Sequence, residues 1–358
     1  MQELNYNWTL KDTKFTKDRG KVFSCFSCGG GSTMGYKLAG FDVIGCNEID
    51  PRMMAVYRKN HDPKFHFLES IQTFKLREDL PDELFNLDIL DGSPPCSSFS
   101  MAGSREDDWG KEKKFREGQA DQILDTLFFD FIDLAKRLQP KIVIAENVKG
   151  LLLGEAKGYV NRILLAFDKA GYYVRYDLLD ASKMGVPQRR ERVFFSAIRK
   201  DLYRGEFDDM FQSDPRLKLE FDERKVLFSE IFQPGIDDRP ASKGRMFEYW
   251  KLRQPGDESF ADCVVRFEDD ESVRRCFGNK FVHIDETPCT MTSNSDCMYL
   301  SDEYRKPNKS ESCSIGSFPQ DYDFGKEQYS YIIGMSVPPL MTARVANEVW
   351  SQWIENTK

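Results

Sequence analysis

Short apolar runs alternate with amphipathic stretches through the first two thirds of the chain, the rhythm of a parallel sheet covered by helices. Residues 22–26 read as a first strand, followed by a turn through Cys28-Gly29-Gly30-Gly31 and a short helix to Leu38. Residues 41–46 form a second strand and 87–90 a later buried one; 142–145, 174–179 and 193–198 complete the set. Between Gln122 and Leu138, the apolar Ile123, Leu127, Phe131, Leu134 and Leu138 recur at helical spacing. These elements predict a doubly wound, mostly parallel α/β domain. After about residue 200 the rhythm breaks. Residues 201–324 are rich in Asp, Glu, Arg, Phe and Ser with few clean periods, so they read as a smaller, irregular, loop-rich domain. Helical spacing returns between Met341 and Trp353, with Val345, Val349 and Trp353 on one face.

Composition narrows the picture. No apolar run approaches the roughly 20 residues that cross a bilayer, and the polar first 21 residues hold no signal core, so a cytoplasmic protein is expected. The nine cysteines are scattered without the regularity of a disulfide framework. Three histidines (His61, His66 and His283) give no basis for a His-rich site. Cys25 and Cys28 form a C-x-x-C with no second pair at zinc spacing, so no metal is expected. A net charge of −8 argues against nonspecific electrostatic binding to nucleic acid, but a local basic cleft works on an acidic protein.

Four segments carry candidate chemistry. Phe26-Ser27-Cys28-Gly29-Gly30-Gly31 follows the first strand, where glycines let the backbone approach a ligand. Glu48, at the end of the second strand, is placed to accept hydrogen bonds from ribose hydroxyls. Together they point to an adenosine-containing cofactor, although the G-x-G-x-x-G spacing of a dinucleotide fold is missing. In Asp91-Gly92-Ser93-Pro94-Pro95-Cys96, two prolines stiffen the chain before a cysteine, a setting for a nucleophilic thiolate. Glu146 ends an apolar strand and would face the same cleft, which pairs covalent attack with proton donation. In Gln188-Arg189-Arg190-Glu191-Arg192, strand alternation would aim Arg190 and Arg192 the same way, towards phosphate or carbonyl oxygens.

Taken in order, these segments resemble the C5-cytosine DNA methyltransferases. Phe26 to Gly31 looks like the family's first motif, Asn47 to Asp50 its second, and Glu69-Ser70-Ile71 its third. Gly92 to Ser100 is similar to the nucleophile loop, Glu146-Asn147-Val148 to its Glu-Asn-Val, and Gln188 to Arg192 to its Gln-x-Arg-x-Arg. Ser317 to Tyr322 resembles the ninth motif, and Gly334-Met335-Ser336-Val337-Pro338-Pro339 the tenth. The resemblance implies a Rossmann-like, S-adenosylmethionine-dependent fold. Residues 19–200 plus 326–358 would be catalytic, and 201–325 would recognise the target. It implies Cys96 as nucleophile, with Glu146, Arg192 and Arg190 around a cytosine flipped out of double-stranded DNA. S-adenosylmethionine would lie against Phe26, Ser27, Cys28, Gly29, Gly30, Gly31, Glu48, Ile49, Glu69, Ser70, Ile71, Ser93, Pro94, Met335, Ser336 and Val337. Residues 97–119, with Lys111, Lys113, Lys114 and Arg116, would form a mobile loop over the flipped base. Base readers are expected among Arg274, Arg275, Asn279, Lys280, Thr292 and Asn294. The implied enzyme is monomeric, of the kind found in restriction-modification. It needs no obligatory protein partner and works on the nucleoid of a bacterial or phage-infected cell.

This sequence departs from the family's pattern at Ser24 (often aspartate), Cys28 (usually glycine), Ile49 (sometimes aromatic), Ser97 (customarily glutamine) and Met335 (usually asparagine). None of these is Cys96, Glu146 or Arg192. Three other readings stand beside the main one. The same chemistry on RNA is opposed by the long segment before Gly334, and a noncatalytic cofactor- or DNA-binding homologue by the intact catalytic set. A nicotinamide dehydrogenase is opposed by the glycine spacing.

Overall fold

A computed structural model describes residues 6–95, 126–154, 156–209, 214–238, 241, 243–266, 278–293 and 297–355. It divides into two compact units. One comprises Lys14–Asp180, Glu191–Phe221 and Pro339–Lys358; the other comprises Met1–Thr13, Ala181–Arg190 and Asp222–Pro338.

The first unit is built on a seven-stranded sheet. Its elements are β1 (Lys21–Cys25), α1 (Gly31–Leu38), β2 (Asp42–Glu48), α2 (Pro51–His61), β3 (Phe65–Leu68), α3 (Ile71–Phe74), β4 (Ile89–Gly92), α4 (Leu127–Leu138), β5 (Ile142–Val148), α5 (Ala156–Ala170), β6 (Tyr172–Asp180) and β7 (Glu191–Arg199). The strand order is β3-β2-β1-β4-β5-β7-β6. Strands β1 to β5 pair in parallel, while β7 runs antiparallel to both of its neighbours. The doubly wound, mostly parallel fold read from the sequence is therefore present.

Central strands β4 and β5 are buried along almost their whole length, which is why they read as continuous apolar runs. Phe23, Phe74, Phe128, Phe131, Phe167 and Phe195 fill the core on one face. Four elements of this unit, α2, β3, the single turn α3 and α5, were not singled out in the sequence. Helix α2 starts where the Asp50 carboxylate caps the Arg52 N–H at 2.8 Å and Pro51 takes the first turn. Helix α5 buries Ala156, Tyr159, Val160, Ile163, Phe167 and Ala170, one face at helical spacing. Edge strand β3 is four residues of alternating exposure, too short to stand out.

The chain's last helices, α10 (Pro339–Val349, numbered after those of the second unit below) and a π-helical turn (Trp350–Ile354), return to this unit. Gly35 of α1 accounts for how closely α10 approaches. A Cβ at Gly35 would lie 2.5 Å from both the Pro339 carbonyl oxygen and Thr342 Cβ. Gly35→Ala should therefore destabilise the protein by about 1–3 kcal/mol through overpacking, despite alanine's better helix propensity. Urea unfolding with an unchanged midpoint would refute this.

The second unit is made of short pieces: α6 (Arg245–Lys251), α7 (Phe260–Val264), a two-stranded parallel pair (Lys280–Val282 with Met298–Leu300), α8 (Lys309–Ile315) and α9 (Tyr329–Met335). One of its small cores gathers Tyr249, Phe260, Cys263, Val264, Phe281 and Tyr299. A buried Arg305–Glu311 ion pair at 2.7 Å braces the start of α8. The pattern of the chain changes near residue 200, whereas the long segment of this unit runs from Asp222 to Pro338 and is joined by Met1–Thr13 and Ala181–Arg190.

Candidate active site

Parallel strands bring their carboxyl ends to one edge of the sheet, and the sequence places its polar segments there. After β1 the chain turns sharply. Phe26 (φ 52°), Cys28 (φ 46°) and Gly30 (φ 87°) all adopt left-handed backbone. For the two non-glycine residues this costs about 1–2 kcal/mol each, and it explains why glycine is usual where Cys28 stands. The turn is tied down from β2. The Ser27 N–H donates to the Asn47 carbonyl at 3.3 Å. The Cys28 N–H donates to Glu48 Oε2 at 2.7 Å.

Glu48 is the hub of this edge. Its Oε1 also accepts the N–H groups of Ile49 and Asp50, each at 2.9 Å. Burial pushes its carboxyl up, against the downward pull of those three donors. A carboxylate offers about four acceptor positions, so the loops after β1 and β2 use three and one remains. From β3, the Glu69 N–H donates to the Glu48 carbonyl and Asn47 Nδ2 donates to the Glu69 carbonyl at 2.8 Å. Ser70 caps α3, which Ile71 opens. The predicted cofactor residues Phe26 to Gly31, Glu48, Ile49 and Glu69 to Ile71 are thus brought together.

The next strand leads to the cysteine turn. Asp91 is buried and accepts from Ser24 Oγ at 2.7 Å and from the Tyr36 hydroxyl at 3.0 Å. Asn147 Nδ2 donates to the Pro94 carbonyl at 3.1 Å, pinning the backbone beside Ser93. Cys96, the loop 97–119, Arg274, Arg275 and Asn294 lie outside the described residues.

At the end of β5, Glu146 Oε1 meets Arg192 Nε at 2.9 Å, both side chains largely buried. Strand direction makes this possible. Because β7 runs antiparallel to β5, Arg192 near its start sits opposite Val148 at the end of β5. A parallel β7 would have carried Arg192 to the opposite edge. Burial lowers the Arg192 value, and the Glu146 charge partly restores it.

Arg190 differs from the expectation. Strand β7 starts at Glu191, so alternation does not couple Arg190 to Arg192, and the two belong to different compact units. Arg190 is buried in the second unit, donating to the carbonyls of Met291 at 2.8 Å and of Gly334 and Ser336 at 3.0 Å each. Gln188 works beside it, donating to the Ile315 carbonyl and accepting the Met291 N–H. These two residues clamp backbone. Met335, Ser336 and Val337 lie in this same unit, with Ser336 Oγ donating to the Ile332 carbonyl at 2.8 Å. Among the expected base readers, Thr292 is exposed and Asn279 and Lys280 are half-buried.

The sequence reading gave no role to Ser24, Tyr36, Asp91 or Asn147. Asp91 carried a usable signal, since it is a charged residue ending an apolar strand, as Glu146 is.

A family model described as C-5 cytosine-specific DNA methylase matches residues 20–351. The Type II methyltransferase M.NgoPII of Neisseria gonorrhoeae is 39% identical over 183 residues, 51% of this chain. The match spans about half of that relative, 49% of its length. The Type II methyltransferase M.MthTI of Methanothermobacter thermautotrophicus is 26% identical over 353 residues, covering 92% of this chain and 96% of that protein. Among solved structures, a DNMT2 variant from Spodoptera frugiperda shares the fold with a TM-score of 0.61. It is 18% identical, covering 92% of this chain and 99% of that one.

Proposed function

The chain belongs to the C-5 cytosine-specific DNA methylase family, and from that premise we propose that it methylates carbon 5 of cytosine in double-stranded DNA using S-adenosylmethionine. The observation that carries this reading is the Glu146–Arg192 pair at the carboxyl end of β5, on the same sheet edge as the turn leading to Cys96.

The residues at the ends of β1, β2 and β3 fit the cofactor. Glu48 keeps an acceptor position for a ribose hydroxyl, and the left-handed turn from Phe26 to Gly30 is tied to the same carboxylate through the Cys28 N–H. Bound there, S-adenosylmethionine supplies an electrophilic methyl group. The protein's part is to make C5 nucleophilic. The Cys96 thiolate adds to C6 of a flipped cytosine, and the electron pair moves into the ring. Glu146 contacts N3 and Arg192 holds the O2 carbonyl where that charge gathers. After methyl transfer, loss of the C5 proton reforms the C5–C6 double bond and expels the Cys96 thiolate. Arg190 clamps backbone within the second unit.

We assign target choice to residues 201–325, where none of the reaction's residues lie, and turnover to 19–200 plus 326–358. The partner is duplex DNA, met by a monomer. Grafting 201–325 onto a related catalytic domain should transfer this protein's methylation site; active chimeras that keep the recipient's site would contradict the assignment.

Glu48→Ala should weaken S-adenosylmethionine binding by about 1.5–3 kcal/mol, typical of a charged hydrogen bond. It should also lower the melting temperature, because three backbone N–H groups lose their acceptor. Calorimetry showing wild-type affinity in a folded variant would remove Glu48 from the cofactor site. The substrate is tested with a labelled methyl donor offered duplex DNA and tRNA in parallel. Label is expected in DNA cytosine, and label in tRNA alone would favour the RNA reading.

A further inference from the structure

Asp91 is a buried carboxylate that the reaction scheme above does not use. It sits on β4, five residues before Cys96, and its partners come from two other elements. Ser24 is its register partner on β1, and Tyr36 belongs to α1, the helix that springs from the cofactor turn. Both hydroxyls donate, one to each carboxylate oxygen, and Asp91 is only 4% exposed. Farther along the same turn, Asn147 grips the Pro94 carbonyl. The path from β4 to the nucleophile is therefore held at two points, one of them reaching the cofactor side of the sheet.

Resting on the functional reading above, we propose that Asp91 is a positioning residue for methyl transfer, tying the strand that leads to Cys96 to the helix that follows the cofactor turn. Two donated hydrogen bonds suit the ionised carboxylate, which accepts only. A protonated Asp91 must donate through one oxygen, so at least one hydroxyl has to turn round and the tie loosens. Burial, with the charge of Glu146 adding to it, pushes Asp91 up to about 7, while the Ser24 and Tyr36 bonds pull it down. The other titratable groups that feel its charge are Tyr36, which bonds to it, and Cys25, on the opposite face of β1. Burial and the Asp91 charge push both well up, so neither changes charge near neutrality.

The sign separates this role from a purely structural one. A carboxyl raised above its unfolded value binds its proton more tightly in the folded state. Asp91 therefore costs stability progressively as pH rises from about 4 to about 7, and in full above that. Asn at this position removes that cost while keeping the shape. Asp91→Asn should thus melt no lower than wild type at pH 8, yet transfer methyl groups more slowly.

The test is single-turnover methyl transfer to duplex DNA from about pH 5.5 to 8.5, with melting temperatures across the same range. Asp91→Asn should be about 10-fold or more slower at pH 8, a loss typical of small misplacements of reacting groups. The wild-type rate should fall more steeply below pH 7 than that of the variant. Tyr36→Phe and Ser24→Ala, each removing one donor, should show smaller losses. A wild-type rate and an unchanged acid limb in Asp91→Asn would overturn the proposal. So would a slower variant that keeps the limb and melts lower at pH 8. If wild type itself transfers no methyl group at any pH, the functional reading fails and this inference with it.

Discussion

Cys96→Ser is expected to abolish methyl transfer while leaving S-adenosylmethionine binding largely intact. The C6 position of cytosine is a poor electrophile, and a serine hydroxyl is almost wholly protonated at neutral pH. A thiol has an ordinary pKa of about 8.5, so it offers a few per cent of an intrinsically better nucleophile. Binding depends on other groups. The turn from Phe26 to Gly30 and the Glu48 carboxylate are organised by backbone hydrogen bonds within β1, β2 and β3, none of which involves Cys96. Calorimetry and single-turnover kinetics on the same preparation check both halves. A serine variant that turns over near the wild-type rate would require a different nucleophile, and one that also loses the cofactor would mean the fold was damaged.

Glu146→Gln should slow methyl transfer by about 10²–10³-fold, the usual loss when one preorganised charge-stabilising group is removed, with little change in DNA affinity. The ion pair adds a second expectation. Arg192 is largely buried, and its Nε lies 2.9 Å from Glu146. Glutamine keeps a hydrogen bond but removes the compensating charge, so the variant should also be less stable. Removing one partner of a fully buried pair costs roughly 3–5 kcal/mol, and this pair keeps some exposure, so a smaller loss is expected. Replacing both residues should then cost no more activity than the worse single change, because the two groups act as a unit on one ring. Additive losses in single-turnover rate would show that they act independently.

The sequence carried the sheet edge well. Glu48 and Glu146 stand out because each is a charged residue at the end of an apolar strand, where a side chain must face a cleft or a partner. The turn at Cys28-Gly29-Gly30-Gly31 stands out because three consecutive glycines disfavour a continuous helix or strand. Strand direction was not legible. Residues 193–198 show the same apolar run whichever way they pair, and only the antiparallel pairing with β5 explains why Arg192 meets Glu146. Arg190 was misread for a related reason. Alternation holds only inside a strand, and this one begins at Glu191. The segment before it packs into the second unit, where Arg190 serves three carbonyls. Asp91 carried the same signal as Glu146, but its role was not legible because its partners, Ser24 and Tyr36, lie 67 and 55 residues away in sequence. Such a cluster exists only once β1, α1 and β4 are side by side.

The covalent route through Cys96 is tested most directly by a duplex in which 5-fluorocytosine replaces the target cytosine. Fluorine cannot leave C5 as a proton does, so the adduct formed after methyl transfer has no way to release the enzyme. Incubated with S-adenosylmethionine, the wild-type protein should form a denaturant-resistant complex, and peptide mapping should place the DNA on Cys96. Active protein that methylates ordinary duplex but forms no such complex, or that carries the DNA on another residue, would contradict the account.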